Sequence, residues 1–247
     1  MKKFIWKKII NFFQNIINKI KIPKDRTPPH LQGWISKNIK YPYDYFEEKE
    51  IKDCFNEFEQ YFKNAIFMDS WKLREYSIMK ASETSNVNDY FMEFGVFEGK
   101  GINFFSSFLK DKKIYGFDSF EGIIDNMTGW SAASNEFNLN KKIPKVNKNV
   151  ELVVGQVENT LEEFLEKEKV KDIKFIHIDL DTYNSTKFVL KRIKKYLSKD
   201  SYILFDELIG YPGWRQGEYK ALKEEFNDSE YEYVAFSYDR RALIKLK

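Results

Sequence analysis

The chain reads as a change of texture part-way along its length. From 45 to 83 the apolar positions recur at helical spacing in two pieces, "YFEEKEIKDCFNEFEQYFKNAI" and "SWKLREYSIMKASE". After "TSNVND" short apolar runs take over and alternate with helical segments. "YFMEFGV", "KKIYGFDSF", "NVELVVGQV", "IKFIHIDLD" and "SYILFDEL" read as buried strands. Between them "FEGKGINFFSSFLK", "ENTLEEFLEKEKV", "STKFVLKRIKKYLSK" and "GEYKALKEEFN" carry helical periodicity. Strands alternating with helices predict an α/β, Rossmann-like, doubly wound and mostly parallel sheet. The last two runs, "YEYVAFSY" and "RALIKLK", are close enough to form an antiparallel C-terminal hairpin, giving seven strands in all. The N-terminal helices precede this sheet, so residues 25–88 read as a helical extension and linker, and 89–247 as the main domain.

Two segments stand outside the alternation. The first 24 residues place Ile5, Ile9, Phe12, Phe13, Ile16, Ile17 and Ile20 on one helical face and lysines and asparagines on the other. No apolar run there approaches the roughly 20 residues of a membrane span. A basic amphipathic helix of this kind either lies peripherally on an anionic membrane, here the inner face, or packs on its own domain or on a second subunit of a homo-oligomer. The second is the connection after the second strand, about 121–149. It is far longer than the roughly 2–6 residues usual in α/β units, and such loops commonly act as lids.

Composition narrows the chemistry. The 247 residues allow one sizeable domain with appendages. Cys54 is the sole cysteine, which removes disulfides and thiolate metal clusters and suits a reducing, cytoplasmic setting. His30 and His177 are the only histidines, so a multi-histidine metal site is excluded and acid–base work falls to carboxylates. The net charge of +3 hides a split: residues 1–24 carry seven lysines and no acid, leaving −4 on the rest. A mildly acidic body argues against a nucleic-acid partner.

Three constellations carry candidate chemistry. In "EFGVFEGKG", Gly95, Gly99 and Gly101 follow a strand and open a helix, a turn that lets backbone amides approach a ligand. The spacing is not that of the dinucleotide fingerprint, which disfavours a nicotinamide oxidoreductase. Asp118 ends the next strand, placed to accept hydrogen bonds from ribose hydroxyls, and the two features together imply an adenosine-containing cofactor. Finally "HIDLD" and "FDEL" bring Asp179, Asp181, Asp206 and Glu207 to the ends of two strands expected to be neighbours. Strand alternation puts His177, Asp179 and Asp181 on one side. Crowded carboxylates take up protons unless a cation intervenes, and an oxygen-rich set suits Mg²⁺. His177 reads as a satisfied core histidine. Aromatic and basic loop residues, Trp130, Tyr183, Trp214 and Arg215, are candidate contacts for a sugar ring or a phosphate-bearing carrier.

The ordered series "EFGVFEGKG … IYGFDSFEG … VGQVENTL … FIHIDLDTYNST … ILFDEL…YPGW" resembles the macrocin O-methyltransferase family over roughly 70–247. These are class I S-adenosylmethionine enzymes that methylate sugar hydroxyls on macrolides, aminocoumarins and related glycosides. The resemblance implies that Glu93, Gly95, Gly99 and Gly101 border the methionine part of the donor. It also places Asp118 on ribose, Ser119 and Gln156 near adenine, and Asp179 beside the donor as well as on a metal. It implies Mg²⁺ held by Asp179, Asp206 and Glu207, the last where the family usually has Asp, and Asp181 as general base. The expected acceptor is a sugar or nucleotide-sugar hydroxyl. A catechol-type acceptor, or a protein that binds the donor without turnover, are the alternatives.

Overall fold

The computed structural model describes residues 41–123 and 136–247. The expected basic helix over 1–24, His30 and Trp130 lie outside them. The chain divides into two units, Met1–Tyr45 and Phe46–Lys247, and the second contains the whole sheet.

In chain order the elements are α1 (Pro42–Phe62), β1 (Ile66–Met68), α2 (Ser70–Glu83), β2 (Tyr90–Phe94), α3 (Lys100–Ser107), β3 (Ile114–Asp118) and β4 (Val150–Val154). There follow α4 (Val157–Lys167), β5 (Ile173–Ile178), α5 (Tyr183–Ile193), β6 (Leu197–Phe205), α6 (Glu218–Glu225), β7 (Tyr231–Ser237) and β8 (Ala242–Leu246). The sheet has eight strands in the order β1-β7-β8-β6-β5-β2-β3-β4. All neighbours are parallel except β8, which runs antiparallel to both β6 and β7. The Rossmann-like class and the terminal hairpin are as expected. The extra strand is β1, three residues absorbed in sequence into a helical run. It pairs in parallel with β7 at the sheet edge, too short to show a period of its own.

Both faces are covered, which is why the central strands read as near-continuous apolar runs. All six residues of β5 are buried. On one face Ile176 and Ile178 meet α4 and α5 through Leu161, Phe164, Val189 and Leu190, with Phe58 of α1 in the same core. On the other Phe175 packs with Leu73 and Ile78 of α2 and Ile102 and Phe105 of α3. From β2 the chain continues to β3 and β4 on one side, whereas β5 and β6 are added on the other. The β2–β5 boundary is thus the topological switch point, where such sheets open a crevice at their carboxyl ends. No described helix is long and apolar enough to cross a membrane.

Candidate active site

The glycine turn exists because two strand ends touch. Gly95 has a φ of 91°, and a Cβ there would lie 1.8 Å from the backbone oxygen of Asp179. The contact is framed by Gly95 N donating to Phe117 O at 2.9 Å and Asp179 N to Phe94 O at 2.8 Å. Gly99, at φ 79°, caps α3, and Gly101 leaves room for Glu93, whose Oε1 would lie 2.4 Å from an added Cβ. Asp118 holds the turn from the next strand. Its Oδ2 accepts from Val96 N and Phe97 N, each at 2.7 Å, and its Oδ1 from Phe120 N at 2.7 Å. The acid therefore shapes the loop as well as facing the space that the loop encloses.

That space is a cavity of about 600 Å³. Its walls include Glu93, Gly95, Gly101, Asp118, Ser119, Gln156, Asp179, Asp181, Asp206 and Glu207, so the structure gathers most of the expected site residues in one place. Gly99 is not on the wall; it packs beside Pro144 and Val146. Gly122, Ile123 and Phe137 of the long connection contribute to the lining, while residues 124–135 lie outside the described chain.

Three expected substrate contacts, Tyr183, Trp214 and Arg215, lie off the cavity wall. Trp214 is 1% exposed within the aromatic core and meets Phe58 and Tyr219 edge-on. Arg215 is tied to Glu50 of α1 at 3.0 Å. Tyr183 bonds to Glu224 of α6, and Lys187 donates to its hydroxyl. Each lies near the strand ends in sequence, but each is used to dock helices.

The electrostatics divide the acids into two groups. Asp206 is enclosed by cations. Arg241 grips it with two bonds, Nε to Oδ1 at 2.7 Å and Nη2 to Oδ2 at 2.8 Å, and Arg74 reaches the same Oδ1 from α2. His177, fully buried, bonds Glu93 Oε1 through Nδ1 at 2.8 Å and lies 3.3 Å from Asp206 Oδ1 through Nε2. Burial works against a charge on His177, but the carboxylates of Asp206 and Glu93 outweigh it and raise its pKa to about 9. The core histidine is thus satisfied at both ring nitrogens by carboxylates, which favour its charged form. Burial likewise opposes charge on Asp206, yet His177 and the guanidinium of Arg74 hold its carboxyl well below the usual range.

The second group has a single cationic partner, Arg240 on Glu207. Burial, then the charge of Asp206, raises Asp179 well above the carboxylate range. Asp181 is pushed up to about 11 by burial and by the charges of Asp179 and Glu207. It shares a hydrogen bond with Glu207, itself raised by burial despite Arg240 Nη1 at 3.0 Å from its Oε1. Glu218 of α6, which sequence reasoning passed over as a surface acid, is 1% exposed, accepts from Glu207 N at 2.9 Å and is also raised strongly. Buried oxygens of Glu93, Glu207 and Glu218 have no hydrogen-bond partner. Asp181 sits at φ 62°, outside the strand. Strand alternation stops at Ile178 and does not place it; a local left-handed turn does.

The expected Mg²⁺ ligand set is met only in part. Among the described residues, the group whose candidate ligand atoms come within 4.8 Å of one another is His177, Asp179 and Asp206, without Glu207. His177 and Asp206 are already engaged with each other and with arginine or glutamate. Asp179 and the unpartnered Glu207 Oε2 are the oxygen donors that fit a hard cation by their uncompensated charge.

A parallel-sheet crevice walled by a glycine turn on one side and acids on the other defines a Rossmann-like domain. Residues 92–208 match the family described as "Methyltransferase domain", a stretch running from β2 past the end of β6. No curated protein matches the sequence. Among solved structures, CalS11, a calicheamicin methyltransferase, is 21% identical, with 84% of this chain and 94% of that chain covered and a TM-score of 0.60. The apo structure of CalS11, described as a TDP-rhamnose 3'-O-methyltransferase of calicheamicin biosynthesis, gives 20% identity, coverage of 84% and 96%, and a TM-score of 0.54. The O-methyltransferase NovP gives 17%, 72%, 79% and 0.52. These structures share the fold with this chain, and none singles out the macrocin enzymes. Residues 92–208 are thus similar to a methyltransferase domain.

Proposed function

We propose that the protein is an S-adenosylmethionine-dependent O-methyltransferase acting on a sugar hydroxyl, free or nucleotide-linked. The observation that carries the reading is the excess of buried carboxyl groups across the cavity from the glycine turn, an arrangement suited to a cationic donor. S-adenosylmethionine supplies an electrophilic methyl group on a sulfonium. Glu93, Gly95 and Gly101 border its methionine part, and Asp118, Ser119 and Gln156 its adenosine. Asp181 takes the proton of the acceptor hydroxyl as the O–C bond forms and the S–C bond breaks, with alignment the main task of the walls. Burial and the charges of Asp179 and Glu207 raise the Asp181 carboxyl, and positive charge beside it favours its ionised, basic form. Asp179 and Glu207 would hold a Mg²⁺ ion, whose chemistry is to favour alkoxide character in a bound hydroxyl. The acceptor class draws support from the sequence resemblance and from the sugar named for CalS11.

The test is calorimetry with S-adenosylmethionine, then turnover on UDP-glucose, TDP-rhamnose and catechol, with and without Mg²⁺. Donor binding and transfer to a sugar nucleotide, lost in Asp181→Asn, are expected. Absence of donor binding refutes the reading, turnover on catechol alone replaces the acceptor, and binding without any turnover makes the protein a donor-binding module.

A further inference from the structure

One wall of the cavity is not used by the roles above. α2 begins with a well-formed cap: Asp69 accepts from Trp71 N and Lys72 N, both at 3.0 Å. The cap fixes the backbone of Trp71 in the first turn. One turn later Arg74 lies on the same side of the helix, with its guanidinium 5.1 Å from the Trp71 ring centroid and its tip on Asp206. Phe104 meets the indole edge-on at 5.0 Å. The ring is thus held on two sides, yet Trp71 is 49% exposed and lines the cavity.

Its link to the strand ends runs to the acid side of the cavity. The donor-side residues sit at the ends of β2, β3 and β4. Trp71 is tied through Arg74 to Asp206 at the end of β6, on the opposite side of the switch point and next to the acids assigned to the acceptor proton. Another exposed aromatic of the rim, Phe97, donates its backbone N–H to Asp118 and so belongs to the donor half. Phe137, the other exposed aromatic of the lining, packs edge-on against Phe97 at 5.4 Å and goes with it. Among the described residues that leaves Trp71 as the exposed aromatic surface of the acceptor half.

Building on the function proposed above, we propose that Trp71 is the stacking platform for the acceptor sugar. A pyranose presents an apolar C–H face and a rim of hydroxyls. A rigid, half-exposed indole lining the same cavity as Asp181 and Glu207 meets both requirements, the ring covering the face and the carboxyl groups engaging the hydroxyls. The pre-organised first turn of α2 means little ordering accompanies binding.

The experiment follows the indole N–H signals of ¹⁵N-labelled protein, with Trp71 assigned by its loss in Trp71→Phe. S-adenosylhomocysteine is added first, then TDP-rhamnose, UDP-glucose or catechol. We expect either sugar nucleotide to shift the Trp71 signal. Affinity for it should fall roughly tenfold in Trp71→Ala, about 1.4 kcal/mol, and stay within about threefold in Trp71→Phe. S-adenosylhomocysteine should bind both variants as it binds the parent protein, which shows the donor half intact. The proposal is overturned if sugar nucleotides move other signals but not that of Trp71, if neither moves any signal, if catechol alone does, or if Trp71→Ala binds as tightly as the parent. Failure of S-adenosylhomocysteine to bind the parent protein removes the underlying function and this proposal with it.

Discussion

Arg241→Met is the sharpest probe of the cationic side of the site. Arg241 holds both oxygens of Asp206, at 2.7 and 2.8 Å, and its side chain is only 13% exposed. Removing one partner of a buried pair leaves a charge uncompensated and typically costs about 3–5 kcal/mol. Arg74 and His177 remain on Asp206, which argues for the lower end, about 3 kcal/mol. In a domain of this size that lowers Tm by roughly 6–12 °C. Urea unfolding followed by circular dichroism, on Arg241→Met, Asp206→Asn and the double variant, reads the interaction directly. The double variant is expected to lose at least ~1.5 kcal/mol less than the two single losses added, since the stranded charge is gone.

The pH dependence has a definite sign. The folded pKa of Asp206 lies below its ordinary 3.8. Its contribution is therefore complete above that value and is lost as pH falls through the depressed folded value. In Arg241→Met the folded pKa rises back toward 3.8, so the variant should lose less stability than the parent as pH falls below 3.8, and the two acid limbs should converge. Additive variants, a single-variant cost under about 1 kcal/mol, or an unchanged acid limb would refute the account of Asp206 as a charge clamped by arginine.

Two further outcomes test the division of labour. Asp181→Asn should lower kcat by about 10²–10⁴-fold while S-adenosylhomocysteine binding stays within a few-fold. Because the base must be ionised and its carboxyl is pushed up to about 11 in the empty site, the parent's rate should rise with pH. A flat profile through the neutral range in stopped or continuous assay would count against Asp181. Trp214→Ala should cost about 3–5 kcal/mol in denaturant melts, from a fully buried ring removed from an aromatic core, with KM for the acceptor unchanged once the protein is folded. A raised KM at intact stability would return Trp214 to the substrate.

What was legible in the sequence follows from how each signal is encoded. Central parallel strands are buried on both faces, so β2, β3, β5 and β6 announce themselves as apolar runs, and the acids at their ends are conspicuous because charge is costly there. β1 gave no such signal, being three residues between two helices. Arg74 and Glu218 were hidden for a different reason: each is one charged position in an amphipathic helix, where charge ordinarily means solvent. Only the tertiary fold turns Arg74 onto Asp206 and buries Glu218 behind Glu207. Trp214 and Arg215 misled in the opposite sense. They stand in a loop at the functional edge, but the loop is spent on seating α1.

The placement of the chain's own cations bears on what the cavity expects. Had the acid cluster been a structural network, it would be closed by internal partners throughout. It is closed by several cations on the side of Asp206, where Arg74, His177 and Arg241 converge, and on the other side by Arg240 on Glu207 alone. On the side of Asp179, Asp181 and Glu207 the carboxyl groups are driven toward protonation by burial and by one another, and Glu207 keeps an unpartnered oxygen. A surplus of carboxyl groups on the open face of a cleft favours a cation bound among them. The same residues therefore bias the site toward a cationic ligand, whether a sulfonium donor or a divalent ion. Glu93 extends the deficit across to the glycine turn, its Oε1 on His177 and its Oε2 unpaired. Stability gained on adding S-adenosylhomocysteine, which keeps the ammonium but lacks the sulfonium charge, should accordingly be smaller than that gained on adding S-adenosylmethionine.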